Sequence, residues 1–142
     1  MNFPLEKNVF SEEETGKLAA DFAKDLNEGD VVVLNGNLGS GKTFFIRQAA
    51  KYFNINNVSS PTFAIVNEYD GLLKIYHFDF YRINSARELF DIGYYDYLND
   101  KNALIFIEWG NLVPEVIPKV RFEISILVGN DFIRKFKIEK FN

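Results

Sequence analysis

The residues Gly36-Asn37-Leu38-Gly39-Ser40-Gly41-Lys42-Thr43 fit the spacing G-x-x-x-x-G-K-[ST], in which backbone amides wrap the phosphates of a nucleotide. Each position has a physical task. Gly36, Gly39 and Gly41 let the backbone take conformations closed to other residues and come close to an anion. Asn37, Leu38 and Ser40 complete the loop that faces the phosphates. Lys42 supplies a point charge for the β- and γ-phosphates, and Thr43 offers its hydroxyl to magnesium. The reading is a nucleoside triphosphate with Mg2+, its base left open because no segment recognises one.

Triphosphate chemistry needs a second anchor for the metal, usually a carboxylate at the end of a neighbouring strand. Glu108 fills that role best, since it follows the apolar run Ala103-Leu104-Ile105-Phe106-Ile107 directly. Asp79 ends another run, within His77-Phe78-Asp79-Phe80-Tyr81-Arg82, where polar groups crowd together; strand alternation alone would also produce that pattern. His77 is the sole histidine, and a lone histidine on a strand is more often structural than catalytic. Thr62, in Ser60-Pro61-Thr62-Phe63, stands on a loop of the kind that closes on a γ-phosphate; a plain Ser-Pro turn is the other reading. Trp109 is either core packing or a wall beside the nucleotide.

These side chains need elements to hold them. Val31-Val32-Val33-Leu34 reads as a strand buried on both faces, immediately before the glycine loop. After the loop, Phe45, Ile46, Ala49, Ala50 and Phe53 recur at helical spacing. Strand, loop and helix in that order are the context the phosphate motif requires. Upstream, Ser11 to Glu14 match a capping box with Glu14 returning to the Ser11 amide, opening a helix that runs to about Gly29. Asp70-Gly71 predicts a two-residue hairpin turn between Ala64–Tyr69 and Leu72–Asp79. Ser85 to Glu88 predicts a second capping box, and Tyr94 to Leu98 another short helix. A terminal hairpin pairs a strand from Val120 to Val128 with one carrying Phe132, Arg134, Phe136 and Ile138. The sum is one α/β domain over residues 1–142. Its architecture is a three-layer P-loop NTPase fold, with a mostly parallel central sheet, antiparallel hairpins and flanking helices.

Composition narrows the setting. A chain of 142 residues suits one core. Its 47% hydrophobic and 25% charged residues exclude disordered and fibrous classes. Cysteine is absent, which removes disulfides and thiolate metal sites. No stretch approaches the roughly 20 apolar residues of a membrane span, so the cytoplasm is the expected location. The net charge of −4 with no basic block argues against extensive direct contact with nucleic acid.

Four motifs occur together in order: Gly36 to Thr43, Ser60-Pro61-Thr62-Phe63, His77-x-Asp79-x-Tyr81-Arg82 and Ile107-Glu108-Trp109. As a set over nearly the whole chain they resemble the TsaE family (older name YjeE), small bacterial ATPases needed to make threonylcarbamoyladenosine in tRNA. The resemblance implies ATP as the nucleotide, a switch-like Ser-Pro-Thr segment, and Thr43 and Glu108 on the magnesium side. It also implies catalytic contributions from Glu108, Asp79 and Thr62, with Trp109 near the nucleotide. The implied partners are the TsaB and TsaD proteins, with tRNA met only through their complex. Asn37, Ser40 and Gly110 depart from the family's usual residues without removing a phosphate or metal ligand. Two other readings stay open from the residues alone: a small-molecule kinase with Arg82 to Asp100 as acceptor site and lid, and a nucleotide-responsive binding module without turnover.

Overall fold

The computed structural model describes residues 1–61 and 64–142. Seven strands form one sheet: β1 (Leu5–Val9), β2 (Val31–Gly36), β3 (Val66–Asp70), β4 (Lys74–Asp79), β5 (Ala103–Glu108), β6 (Arg121–Val128) and β7 (Arg134–Phe141). Their spatial order is β1-β7-β6-β2-β5-β4-β3. The centre, β6-β2-β5-β4, is parallel throughout, while β1 and β7 at one edge and β3 at the other pair antiparallel. This is the expected mixed α/β sheet. The all-apolar runs of β2 and β5 occupy its middle because only there are both faces covered.

One face is covered by α1 (Glu12–Ala23) and α2 (Lys42–Lys51). Leu18, Phe22, Phe45 and Ile46 from these helices meet Val32, Leu34, Phe106 and Ile124 from the strands. Full burial of side chains of this size contributes roughly 1.5–3 kcal/mol each, enough to fix where α2 starts. The other face is covered by α3 (Ala86–Asp91), α4 (Tyr94–Leu98) and two 3-10 turns, which pack Leu89, Tyr94 and Val116 on Val33, Phe78 and Ile107. Among the described residues, no helix is long and apolar enough to cross a membrane.

Several expected boundaries shift for local reasons. Ser11 Oγ accepts from the Glu14 amide at 3.1 Å as a cap should, but the Glu14 carboxylate reaches the Phe10 amide, one residue earlier than expected. Helix α1 ends at Ala23, because the Asn27 amide donates to Asp30 Oδ2 at 2.8 Å in a turn that redirects the chain before β2. Ser85 makes no capping bond, and the Glu88 carboxylate instead faces Asn84. Phe132 is not a strand residue. It sits 82% exposed in the turn between β6 and β7, which is closed by Gly129 N–H donating to the Ile133 carbonyl at 2.8 Å, so that β7 begins at Arg134.

The β3–β4 connection is also longer than a two-residue turn. Asp70 pairs with Lys74, leaving Gly71-Leu72-Leu73 as the loop. Its tip docks on the chain leaving α2: Leu72 N–H donates to the Phe53 carbonyl at 2.8 Å, and a Cβ on Gly71 would lie 2.2 Å from that oxygen and 2.6 Å from Ile55 Cγ1. Glycine is required here for close approach. Gly71→Ala is therefore expected to lower stability by about 1–3 kcal/mol, as overpacked sites do. A urea midpoint equal to that of the unsubstituted protein would contradict this docking.

Candidate functional site

Strand period dictates which side chains meet. In β4, Ile75, His77 and Asp79 share a face, and in β5 so do Leu104, Phe106 and Glu108; Ile75, Leu104 and Phe106 pack into the core under α1 and α2. His77, Asp79 and Glu108 therefore lie on the face that α2 covers, with Asp79 and Glu108 partners in register. Strand β2 ends at Gly36 and the chain turns back through the glycine loop into α2. Gly41, at φ 104°, stands just before the first helical residue. That φ lies in the region favouring glycine, and the turn it makes aims the first-turn amides of α2, which lack acceptors within the helix, at the loop's mouth.

The result is a cavity of about 400 Å³ whose walls include Lys42, Thr43, Asp79, Tyr81, Glu108 and Trp109. Lys42 is only 4% exposed. Its ammonium donates to the carbonyls of Gly36 at 2.6 Å and Asn37 at 3.0 Å, and lies 4.1 Å from the centre of the Trp109 ring. Burial pushes the Lys42 pKa down, opposed by the carboxylates of Glu108 and Asp79. Trp109 takes φ 62° at the end of β5, and its ring lies 4.9 Å from that of Tyr81.

In the same cavity, Thr43 Oγ1 donates to the Glu108 carboxylate, at 2.8 and 3.0 Å from its two oxygens, and lies 3.0 Å from Ser60 Oγ. Glu108 Oε2 is 2.6 Å from His77 Nε2, and both side chains are buried. With the carboxylate accepting, the His77 proton sits on Nε2; the buried Nδ1 meets no hydrogen-bond partner among the described residues. Burial raises the Asp79 pKa, countered by the Tyr81 amide that donates to Asp79 Oδ1 at 2.9 Å and reinforced by the charge of Glu108. Two neighbouring carboxylates and a hydroxyl, all hard oxygen donors, form a set that suits magnesium. Among the described residues no group of three or more His, Cys, Asp or Glu could by itself hold a metal ion. A divalent ion would thus take the rest of its ligands from phosphate and water, as Mg2+ commonly does.

The residues singled out by sequence are distributed as follows. Leu38, Gly39, Gly41, Lys42, Thr43, Asp79, Glu108 and Trp109 line one cavity. Gly36 and Asn37 act from behind through their carbonyls, and Ser40 is buried against the loop's base. Thr62 lies outside the described residues. The chain leading to it is pinned: Arg47 Nε donates to the Val58 carbonyl at 3.1 Å, and the Ser59 amide donates to the Tyr69 hydroxyl at 3.1 Å. Two contacts exceed what pattern revealed. His77 is tied to Glu108 although strand position alone favoured a bland role, and Ser60 reaches Thr43. Their only sequence signal is proximity to Asp79 and Thr62.

Both the sequence and the fold have known relatives. A family model described as "Threonylcarbamoyl adenosine biosynthesis protein TsaE" matches residues 9–136. A Rickettsia typhi protein named "tRNA threonylcarbamoyladenosine biosynthesis protein TsaE" is 39% identical over 136 residues, covering 92% of this chain and 93% of that one. The Bacillus subtilis protein of the same name is 41% identical over 117 residues, covering 81% and 70%. The crystal structure of Bacillus subtilis YdiB superposes with a TM-score of 0.78 at 30% identity, covering all of this chain and 88% of that one.

Proposed function

The chain belongs to the TsaE family, P-loop-type proteins of tRNA threonylcarbamoyladenosine biosynthesis, and from that premise we propose that it binds ATP with magnesium at Gly36 to Thr43 and hydrolyses it in the service of TsaB and TsaD. The observation that carries this reading is the convergence of Lys42, Thr43 and Glu108 on one cavity. Loop amides and the α2 N-terminus hold the phosphates. Lys42 exchanges its present partners, two carbonyls and a ring, for phosphate oxygens, which are stronger acceptors. Thr43 and Glu108 would hold a magnesium ion, which when bound neutralises phosphate charge. His77 keeps the Glu108 carboxylate oriented through its Nε2 proton. Asp79, facing the same cavity, and Thr62, on the switch-like loop, contribute to hydrolysis or to its coupling to the partners; tRNA is met through their complex.

A kinase would need Arg82 to Asp100 as acceptor pocket and lid. Within that segment Leu89 and Tyr94 are fully buried against the sheet, and Arg82 alone of its residues lines the cavity. Phosphate release measured with the purified chain, and again with TsaB and TsaD added, tests the proposal. Stimulated release is expected. A phosphorylated small molecule would favour the kinase, and binding without turnover under either condition would favour a nucleotide-responsive module.

The sole tryptophan offers a direct binding assay. With Lys42 held 4.1 Å over the Trp109 ring, drawing the ammonium toward phosphates changes the ring's surroundings. A saturable change in tryptophan emission on adding ATP and magnesium is expected. Calorimetric binding without any emission change would contradict the Lys42 movement.

A further inference from the structure

Ser40 and Gly41 share one planar trans peptide, so the Ser40 carbonyl and the Gly41 N–H point in opposite directions. The Ser40 carbonyl is held from behind: Arg134 Nε donates to it at 2.9 Å. Gly41 itself lines the cavity described above. Fixing the carbonyl toward Arg134 therefore fixes the amide toward the phosphate side. The opposite flip would present a carbonyl dipole to an anion.

Arg134 is well placed for such a task. As the first residue of β7 it pairs with Val9 of β1 on one side and Val128 of β6 on the other, so its backbone is held from both flanks. It shares a strand face with Phe136 and Ile138, which are buried, and that face turns the guanidinium toward the loop. Nε lies 3.6 Å from where a Gly41 Cβ would stand, an ordinary contact, so the two segments meet without a gap. A small cavity of about 100 Å³ beside the guanidinium is bounded by Glu12, Thr15 and Phe44.

We propose that Arg134 is a positioning residue for the phosphate loop: from the terminal hairpin it orients the Ser40–Gly41 peptide so that the Gly41 amide faces a nucleotide phosphate, and it adds a fixed positive charge behind that amide. This rests on the nucleotide reading of the site. The guanidinium acts through the loop and makes no contact with the reacting atoms.

Arg134→Met and Arg134→Lys test it. Before any nucleotide is added, the Gly41 amide resonance in a 15N spectrum is expected to move in Arg134→Met. Its hydrogen exchange is expected to accelerate. The Kd for both Mg-ATP and ADP by calorimetry is expected to rise about tenfold, the scale of one hydrogen bond to a charged group. The KM for ATP is expected to rise more than kcat falls, which a general loss of fold would not produce. Arg134→Lys restores the charge without the planar fork, and an intermediate loss of about threefold is expected; this variant carries the test should the methionine one fold poorly. Unchanged nucleotide affinity in Arg134→Met, or an unmoved Gly41 amide, would overturn the proposal. Failure of the unsubstituted protein to bind ATP would instead overturn the nucleotide reading, and the Gly41 amide would still report on Arg134.

Discussion

Lys42→Ala is expected to reduce ATP turnover by about 10²–10³-fold, the loss typical when a preorganised charge aimed at a transition state is removed. The size follows from the surroundings. Lys42 is 4% exposed and enclosed by the loop carbonyls and Trp109, so water cannot replace its charge. Binding should suffer as well. At 100 times its Kd, ATP stabilises a protein by about 2.7 kcal/mol, and this gain, read as a rise in Tm, should nearly vanish in the variant. The same substitution leaves the Gly36 carbonyl without its ammonium donor, at a cost of about 1–3 kcal/mol where it stays buried and unpaired, while the Asn37 carbonyl still accepts from the Ser40 amide at 3.0 Å. The Tm without nucleotide should therefore also fall. The diagnostic is the ATP-dependent increment. Unchanged turnover, with the increment intact, would sink the phosphate-loop assignment.

Much of this site is legible in the order of residues because its parts are local. The glycine spacing, Lys42 and Thr43 sit within one turn-and-helix unit, and β2 and β5 announce themselves as apolar runs since both their faces are covered. What is not legible depends on contacts between distant segments. Strand β1 reads Leu-Glu-Lys-Asn-Val, with three exposed polar residues between its ends, and has no periodic signal because an edge strand needs only its inward positions apolar. The Asp70-Gly71 dipeptide suggests a two-residue turn. In the fold Gly71 is needed for its missing side chain against Phe53 and Ile55, a demand set by tertiary packing. Phe132 fits strand alternation in letters, yet the turn closed by Gly129 and Ile133 carries it out into solvent. The Arg134 contact with Ser40 spans 94 residues and leaves no local trace.

His77 is the most instructive residue, and it frames the second large effect. A histidine on a strand is ordinarily part of the packing, and His77 is indeed fully buried; its neighbour at 2.6 Å, however, is the carboxylate on which the magnesium side of the site depends. Glu108 thus serves Thr43 and His77 at once. Glu108→Ala would leave the buried His77 Nε2 proton without an acceptor, while Thr43 would keep only Ser60 Oγ; the unpaired imidazole adds about 1–3 kcal/mol of instability, so loss of fold would obscure loss of chemistry. Glu108→Gln keeps the volume and one acceptor oxygen. Its oxygen can go on accepting from His77 Nε2 while its amide donates to Thr43 Oγ1, whose own proton turns to Ser60 Oγ. The charge alone is removed. Hydrolysis is then expected to fall by about 10²–10³-fold, while the Kd for ATP changes by less than about tenfold, because a metal-side carboxylate matters most as charge develops in the transfer. Loss of binding equal to the loss of hydrolysis, measured by calorimetry and phosphate release on the same preparation, would assign Glu108 to holding the site together rather than to the reaction.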